Sequence, residues 1–91
     1  MAKNEWFFDK NYGSYFYLGG DGKYIGGNRW YQVAGDWYYF IADGQMASHK
    51  WIGNYYVKSD GRMAVNEWIY DHNYSGYFYL RGDGVYVRNI F

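Results

Sequence analysis

One phrase recurs four times in these 91 residues: a lone tryptophan, an aromatic run, then Asp-Gly. The tryptophans are Trp6, Trp30, Trp51 and Trp68. The runs are Tyr15-Phe16-Tyr17-Leu18, Trp37-Tyr38-Tyr39-Phe40, Tyr55-Tyr56-Val57 and Tyr77-Phe78-Tyr79-Leu80. After a gap of two residues each run is followed by Asp-Gly, at Asp21-Gly22, Asp43-Gly44, Asp60-Gly61 and Asp83-Gly84. Self-similarity at a period of about 20 residues marks an array of stacked units, each too small to bury a core alone. The repeats run approximately 4–26, 27–48, 49–65 and 66–88, in a single module spanning 1–91.

Inside each unit, two short aromatic runs flank a polar or glycine-containing break, which is a hairpin signal. The clearest case is Trp51-Ile52, Gly53-Asn54, Tyr55-Tyr56-Val57, where Gly53-Asn54 suits a two-residue turn with positive φ. The first and fourth units carry longer loops around Lys10–Ser14 and His72–Gly76. No segment sustains a helical period of 3.6 residues. The expected fold is therefore all-β, a solenoid of stacked β-hairpin repeats.

Period-two alternation gives each second strand two faces. Tyr15 and Tyr17 oppose Phe16 and Leu18; Trp37 and Tyr39 oppose Tyr38 and Phe40; Tyr77 and Tyr79 oppose Phe78 and Leu80. Phe16, Tyr38, Phe40 and Phe78 read as the internal stack. The Tyr/Trp face reads as the wall of grooves between hairpins.

The composition supports a surface both packed and wet. Aromatics are 27% of the chain, yet the mean hydropathy is −0.61. Tyr and Trp join an apolar body to a polar tip, so they serve such surfaces. Nine basic residues balance nine acidic ones without a like-charge run, which removes the electrostatic footprint of a nucleic-acid binder. No apolar run approaches the roughly 20 residues of a membrane helix. Cysteine is absent, so neither disulfides nor a Cys-ligated metal holds the units together.

Other chemistry finds little support. Asp21, Asp43, Asp60 and Asp83 precede glycine and read as turn residues, without the D-x-D-x-D ladder of a calcium loop. His49 and His72 stand alone, and no metal or cofactor is expected. Asn73-Tyr74-Ser75 fits a glycosylation sequon only as a short pattern. Glu5 with Asp9 and Glu67 with Asp71 are conceivable acid pairs, but they recur at the same repeat position, as structural residues do. No catalytic constellation emerges, so a binding module and not an enzyme is expected.

The patterns GNRWYQVAGDWYYFIADGQMAS and KWIGNYYVKSDGRMAVNEW resemble the choline-binding repeats of streptococcal and phage cell-wall proteins. The longer NEW-x₂-D-x-NY-x₂-YFYL-x₂-DG form is similar to repeats of murein hydrolases of the endo-β-N-acetylglucosaminidase type. The resemblance implies a left-handed solenoid with choline held between consecutive hairpins in a cage of aromatics, often beside a methionine. It assigns Trp30, Trp37 and Tyr56, with Met46 as floor, to a second-repeat cage, and Trp6, Tyr15 and Tyr39 to a first. In the third repeat it assigns Trp51 and Tyr79, but Asn54 stands where the pattern has an aromatic wall. Trp68 and Tyr77 would form an open fourth site. The first and fourth repeats carry Tyr24 and Tyr86 where the pattern has methionine.

By the same resemblance the partner is choline or phosphocholine on teichoic or lipoteichoic acid, at the surface of the cell that secretes the protein. No membrane insertion is implied, and pairing of two copies through the repeat ends is an expectation. Met1-Ala2-Lys3-Asn4-Glu5-Trp6 echoes Met63-Ala64-Val65-Asn66-Glu67-Trp68, so Met1 reads as the tail of an earlier repeat and the chain as a fragment of a larger protein. Two alternatives remain at this level. A glucan-binding module would share the W…YYF…DG hairpin, and a structural spacer would bury the same rings.

Overall fold

A computed structural model describes residues 3–88, so the Met1-Ala2 half of that echo and the Asn89–Phe91 tail lie outside the described residues. Among the described residues nine strands occur in chain order: β1 Glu5–Asp9, β2 Ser14–Leu18, β3 Arg29–Val33, β4 Asp36–Phe40, β5 Lys50–Ile52, β6 Tyr55–Val57, β7 Glu67–Asp71, β8 Gly76–Leu80 and β9 Tyr86–Arg88. They pair antiparallel as β1-β2, β3-β4, β5-β6 and β7-β8-β9. The all-β expectation holds, with no helix among the described residues.

Register follows the repeat. Each leading tryptophan stands opposite the penultimate residue of its partner strand: Trp6↔Tyr17, Trp30↔Tyr39, Trp51↔Tyr56 and Trp68↔Tyr79. The turns differ as their residues demand. Ala34 and Gly35 both take positive φ, at 52° and 88°, the I′ pattern that matches strand twist. In the third hairpin only Gly53 does, at 60°, so that turn is of the II′ kind with Asn54 at ordinary φ. In the longer loops Asp9 and Asp71 fold the chain back: each Oδ1 accepts the backbone N–H two residues on, from Asn11 and Asn73, at 2.8 Å. The Glu67–Asp71 pair serves structure, since the Glu67 carboxylate accepts from Lys58 Nζ at 3.2 Å while Asp71 turns the loop.

After each hairpin the Asp-Gly turn returns the chain for one more bridge. Tyr24 bridges Leu18, Met46 bridges Phe40 and Met63 bridges Val57; β9 extends the same position from Tyr86. These bridging residues also join neighbours. The backbone N–H of Met46 donates to Tyr15 O at 2.8 Å, Met63 to Trp37 O at 2.8 Å, and Tyr86 to Asn54 O at 3.0 Å. Each hairpin is thus hydrogen-bonded to the one before it, through main chain that a side-chain change leaves in place.

The stack is elongated, 52 × 26 × 18 Å. Its core is divided among the interfaces between hairpins. The fully buried Phe40, Val57 and Leu80 occupy one repeat position, the last residue of the second strand. Phe40 clusters with Tyr17 of the preceding hairpin, and Leu80 with Tyr56 of its own predecessor. The tryptophan-bearing face of one hairpin therefore meets the opposite face of the next.

Candidate functional site

Among the described residues, cavities open between the first and second hairpins and between the second and third. Between the first and second hairpins lies a space of about 550 Å³, bounded by Trp6, Phe8, Tyr15, Tyr38 and Met46, with Ser14, Ser48, Ser59 and Asp60 supplying polar edges. Between the second and third lies one of about 260 Å³, bounded by Trp30, Trp37, Tyr55, Met63 and Asp83.

The walls come from fixed repeat positions. Each hairpin contributes its leading tryptophan and the first aromatic of its second strand, Trp6 with Tyr15 and Trp30 with Trp37. The following hairpin contributes the residue two before its buried Phe40 or Val57, namely Tyr38 or Tyr55. Trp6 and Tyr38 approach edge-to-face at 4.8 Å between centroids, and Trp30 and Tyr55 at 5.5 Å. The bridging methionine of that following hairpin completes each cavity.

The structure regroups part of the set expected from sequence. Trp6 and Tyr15 come together, as do Trp30 and Trp37. Tyr39 stays on its own hairpin, 5.2 Å from Trp30, and Tyr38 takes the place against Trp6. Tyr56 packs 5.0 Å from Trp51 and is 6% exposed, so Tyr55 faces Trp30 instead. Met46 lines the first cavity, and Met63 stands in the second where Met46 was expected. Tyr79 lies 5.2 Å from Trp68 of its own hairpin; Phe78 meets Trp51, also at 5.2 Å.

The shift has one cause. Units related by a repeated translation pack unlike faces, front to back. The next hairpin must therefore offer its Tyr38-type face, not a second copy of the Trp/Tyr face. Tyr38, assigned by sequence to the internal stack, is consequently both packed and cavity-lining. The signal that could have found it is its alternation with Tyr39 once the packing of unlike faces is recognised.

The third interface adds a ring and a tether around its tryptophan. Trp51 meets Tyr56, Phe78 and Tyr86 at 5.0, 5.2 and 5.6 Å, and its Nε1–H donates to the Asp71 carboxylate. That bond, with burial acting against it and the Asn73 and Tyr74 N–H groups adding to it, holds the Asp71 carboxyl below its ordinary range. The fourth hairpin leaves Trp68 and Tyr77 exposed at 53% and 54%.

Burial, reinforced by Asp36, raises the Tyr38 phenol above its ordinary range, keeping that wall neutral at physiological pH. Burial pushes the Asp60 carboxyl up, but the Arg62 backbone N–H and guanidinium outweigh it and leave it low. The Val85 N–H and Arg81 do the same for Asp83 against a smaller burial effect. Both carboxylates are charged at neutral pH. Among the described residues no three His, Asp or Glu side chains gather as metal ligands.

Over 96% of its length the chain resembles part of the modular autolysin LytC from Streptococcus pneumoniae, with 48% identity and a TM-score of 0.90, covering 20% of that protein. Residues 46–86 match the choline-binding repeat family. That segment, from the end of the second repeat through the fourth, is made of the family's repeats. Among curated proteins, the chain is 32% identical over 82 residues to a putative endo-beta-N-acetylglucosaminidase of Streptococcus pneumoniae. The match takes in 90% of the chain and 12% of that relative's length. An alternansucrase in complex with isomaltononaose shares the fold at 25% identity and a TM-score of 0.83, over 96% of this chain and 8% of the other.

Proposed function

We propose that this chain is a cell-wall-binding module whose inter-hairpin cavities take choline from phosphocholine-decorated teichoic or lipoteichoic acid. It would thereby hold an attached peptidoglycan glycosidase at the bacterial surface. The observation that carries the reading is the set Trp30, Trp37, Tyr55 and Met63 around one small open cavity, in a chain of choline-binding repeats.

A quaternary ammonium neither donates a hydrogen bond nor loses a proton, so ring faces are its natural partners. Each ring is worth about 0.5–2 kcal/mol depending on desolvation. Three rings give a single site of roughly millimolar affinity once association costs are counted. Several such sites on one polymer raise avidity by roughly 10²–10⁴, which is the use of an array. A sugar would instead require polar side chains converging beside the rings to hold its hydroxyls. Among the described residues lining the second cavity, Asp83 is the one hydrogen-bonding edge besides the aromatic tips, which favours the cation.

Titration with choline, and separately with an isomaltooligosaccharide, followed by tryptophan emission, tests the reading. A saturable response to choline alone is expected. Response to sugar alone overturns it in favour of glucan binding, and silence with both leaves the rings as packing.

A further inference from the structure

Each cavity is lined by three hairpins, although two already supply its rings and methionine. The third contribution is an aspartate from the turn of the hairpin after next. Asp60, after β6, lines the cavity between the first and second hairpins, and Asp83, after β8, lines that between the second and third. Sequence alone reads both as turn formers. They stand at one repeat position and reach equivalent places in two independent cavities.

The glycine after each aspartate explains the approach. Gly61 and Gly84 take φ of +89° and +86°. A Cβ added to Gly61 would lie 2.4 Å from Met46 Sδ, and one on Gly84 would lie 2.9 Å from Met63 Sδ and 3.0 Å from Tyr55 Cδ1. The turn backbone is thus laid directly against the methionine of the preceding hairpin, at the side of the cavity. The aspartate beside the glycine is carried there with it.

Its carboxylate is held in place twice. Asp60 Oδ1 accepts the Arg62 N–H at 3.1 Å, and Asp83 Oδ1 the Val85 N–H at 3.0 Å. The second oxygen accepts from Arg62 Nε at 2.8 Å, or from an Arg81 terminal nitrogen at 3.2 Å. These side chains are about half exposed, so each pair itself contributes little to stability. The positions of the two arginines differ, one after the turn and one before it, whereas the aspartate is constant.

We propose that Asp60 and Asp83 are charge-selecting residues: their carboxylates make the two cavities prefer a quaternary ammonium to a neutral molecule of the same shape. The proposal rests on the choline reading above. Ring faces and methionine also hold a neutral tert-butyl group by contact and desolvation; a formal negative charge at the edge rewards only the cation.

The probes are choline and its neutral isostere 3,3-dimethylbutan-1-ol, titrated while the Met46 and Met63 methyl resonances report the two cavities separately. Asp83→Asn keeps an acceptor for the Val85 N–H and with it the turn. It is expected to weaken choline about threefold to tenfold at Met63, leaving the isostere there and choline at Met46 unchanged. Asp60→Asn should give the reverse pattern. Asp43→Asn, the same turn position outside the walls of both cavities, should change neither. Arg81→Gln, which keeps the carboxylate and removes its partner, should leave choline at Met63 at least as tightly bound. Equal weakening of choline and isostere by Asp83→Asn, or no weakening of either, overturns the proposal. So does an Arg81→Gln variant as weak as Asp83→Asn. A wild-type chain that binds no choline overturns the functional reading itself, a result distinct from these.

Discussion

The second and third interfaces have the same backbone plan and different side chains around the tryptophan. In both, a leading tryptophan faces the following hairpin, whose bridging residue donates its N–H to the carbonyl of Trp37 in β4 or of Asn54, which stands at the same repeat position just before β6. At the second interface those positions hold Trp37 and Met63, and Trp30, Tyr55 and a cavity of about 260 Å³ lie between. At the third they hold Asn54 and Tyr86. The wall is missing, the bridging side chain is a second ring, and Trp51 is packed by Tyr56, Phe78 and Tyr86 and bonded to Asp71. Stacking tolerates either arrangement, because the main-chain links do not depend on side-chain identity. One interface of a repeat array can therefore hold a ring-lined cavity while at the next the tryptophan is tethered as a joint.

The strongest way to break the comparison is at the glycine that both plans share. Gly61→Ala forces a Cβ into Met46 at a backbone φ that L-residues avoid. It is expected to cost about 1–3 kcal/mol in denaturant unfolding and to disrupt the first cavity. Next in size, Trp37→Ala removes a wall of the second cavity without touching the third interface. Choline titration should lose that site, by about tenfold or more in affinity, while the Trp6–Tyr15–Tyr38 cavity still responds.

The joint is tested through Asp71. Its carboxyl titrates lower in the folded chain than in the unfolded one, chiefly because the Trp51 indole N–H prefers the carboxylate. The stability it adds is complete above the unfolded value, near 4, and is lost as pH falls through the lower folded value. Asp71→Asn should lower the thermal midpoint at neutral pH. It should also shrink the further loss expected of the wild type as pH falls below about 5. An unchanged acid response would mean the indole bond adds nothing.

The smallest effect expected is a gain. Asn54→Tyr with Tyr86→Met copies the open plan into the third interface. Weak new choline binding there, read as an added response in titration, would sharpen the contrast; continued silence would show that Tyr56, Phe78 and the Asp71 tether suffice to keep Trp51 packed.

Much of this was legible in the residues. The hairpins follow from paired aromatic runs around turn residues, and the repeat places Trp6 with Tyr15 and Trp30 with Trp37. Asn54 already marks the third interface as different. What misled was a local rule applied across a nonlocal boundary. Alternation correctly separates Tyr38 from Tyr39 and Tyr55 from Tyr56, but it describes one strand and is silent on which face meets the neighbour.

The sequence by itself determined the unit: its strands, its turns, its tryptophan and the aromatic beside it, because these depend on contacts within about 20 residues. Only the tertiary structure decided which residues line the cavities. Front-to-back stacking brings in Tyr38 and Tyr55 in place of Tyr39 and Tyr56, and with them the next hairpin's methionine. The same advance along the stack carries an aspartate from one hairpin further, since a glycine without a side chain lets that turn rest on the methionine sulfur.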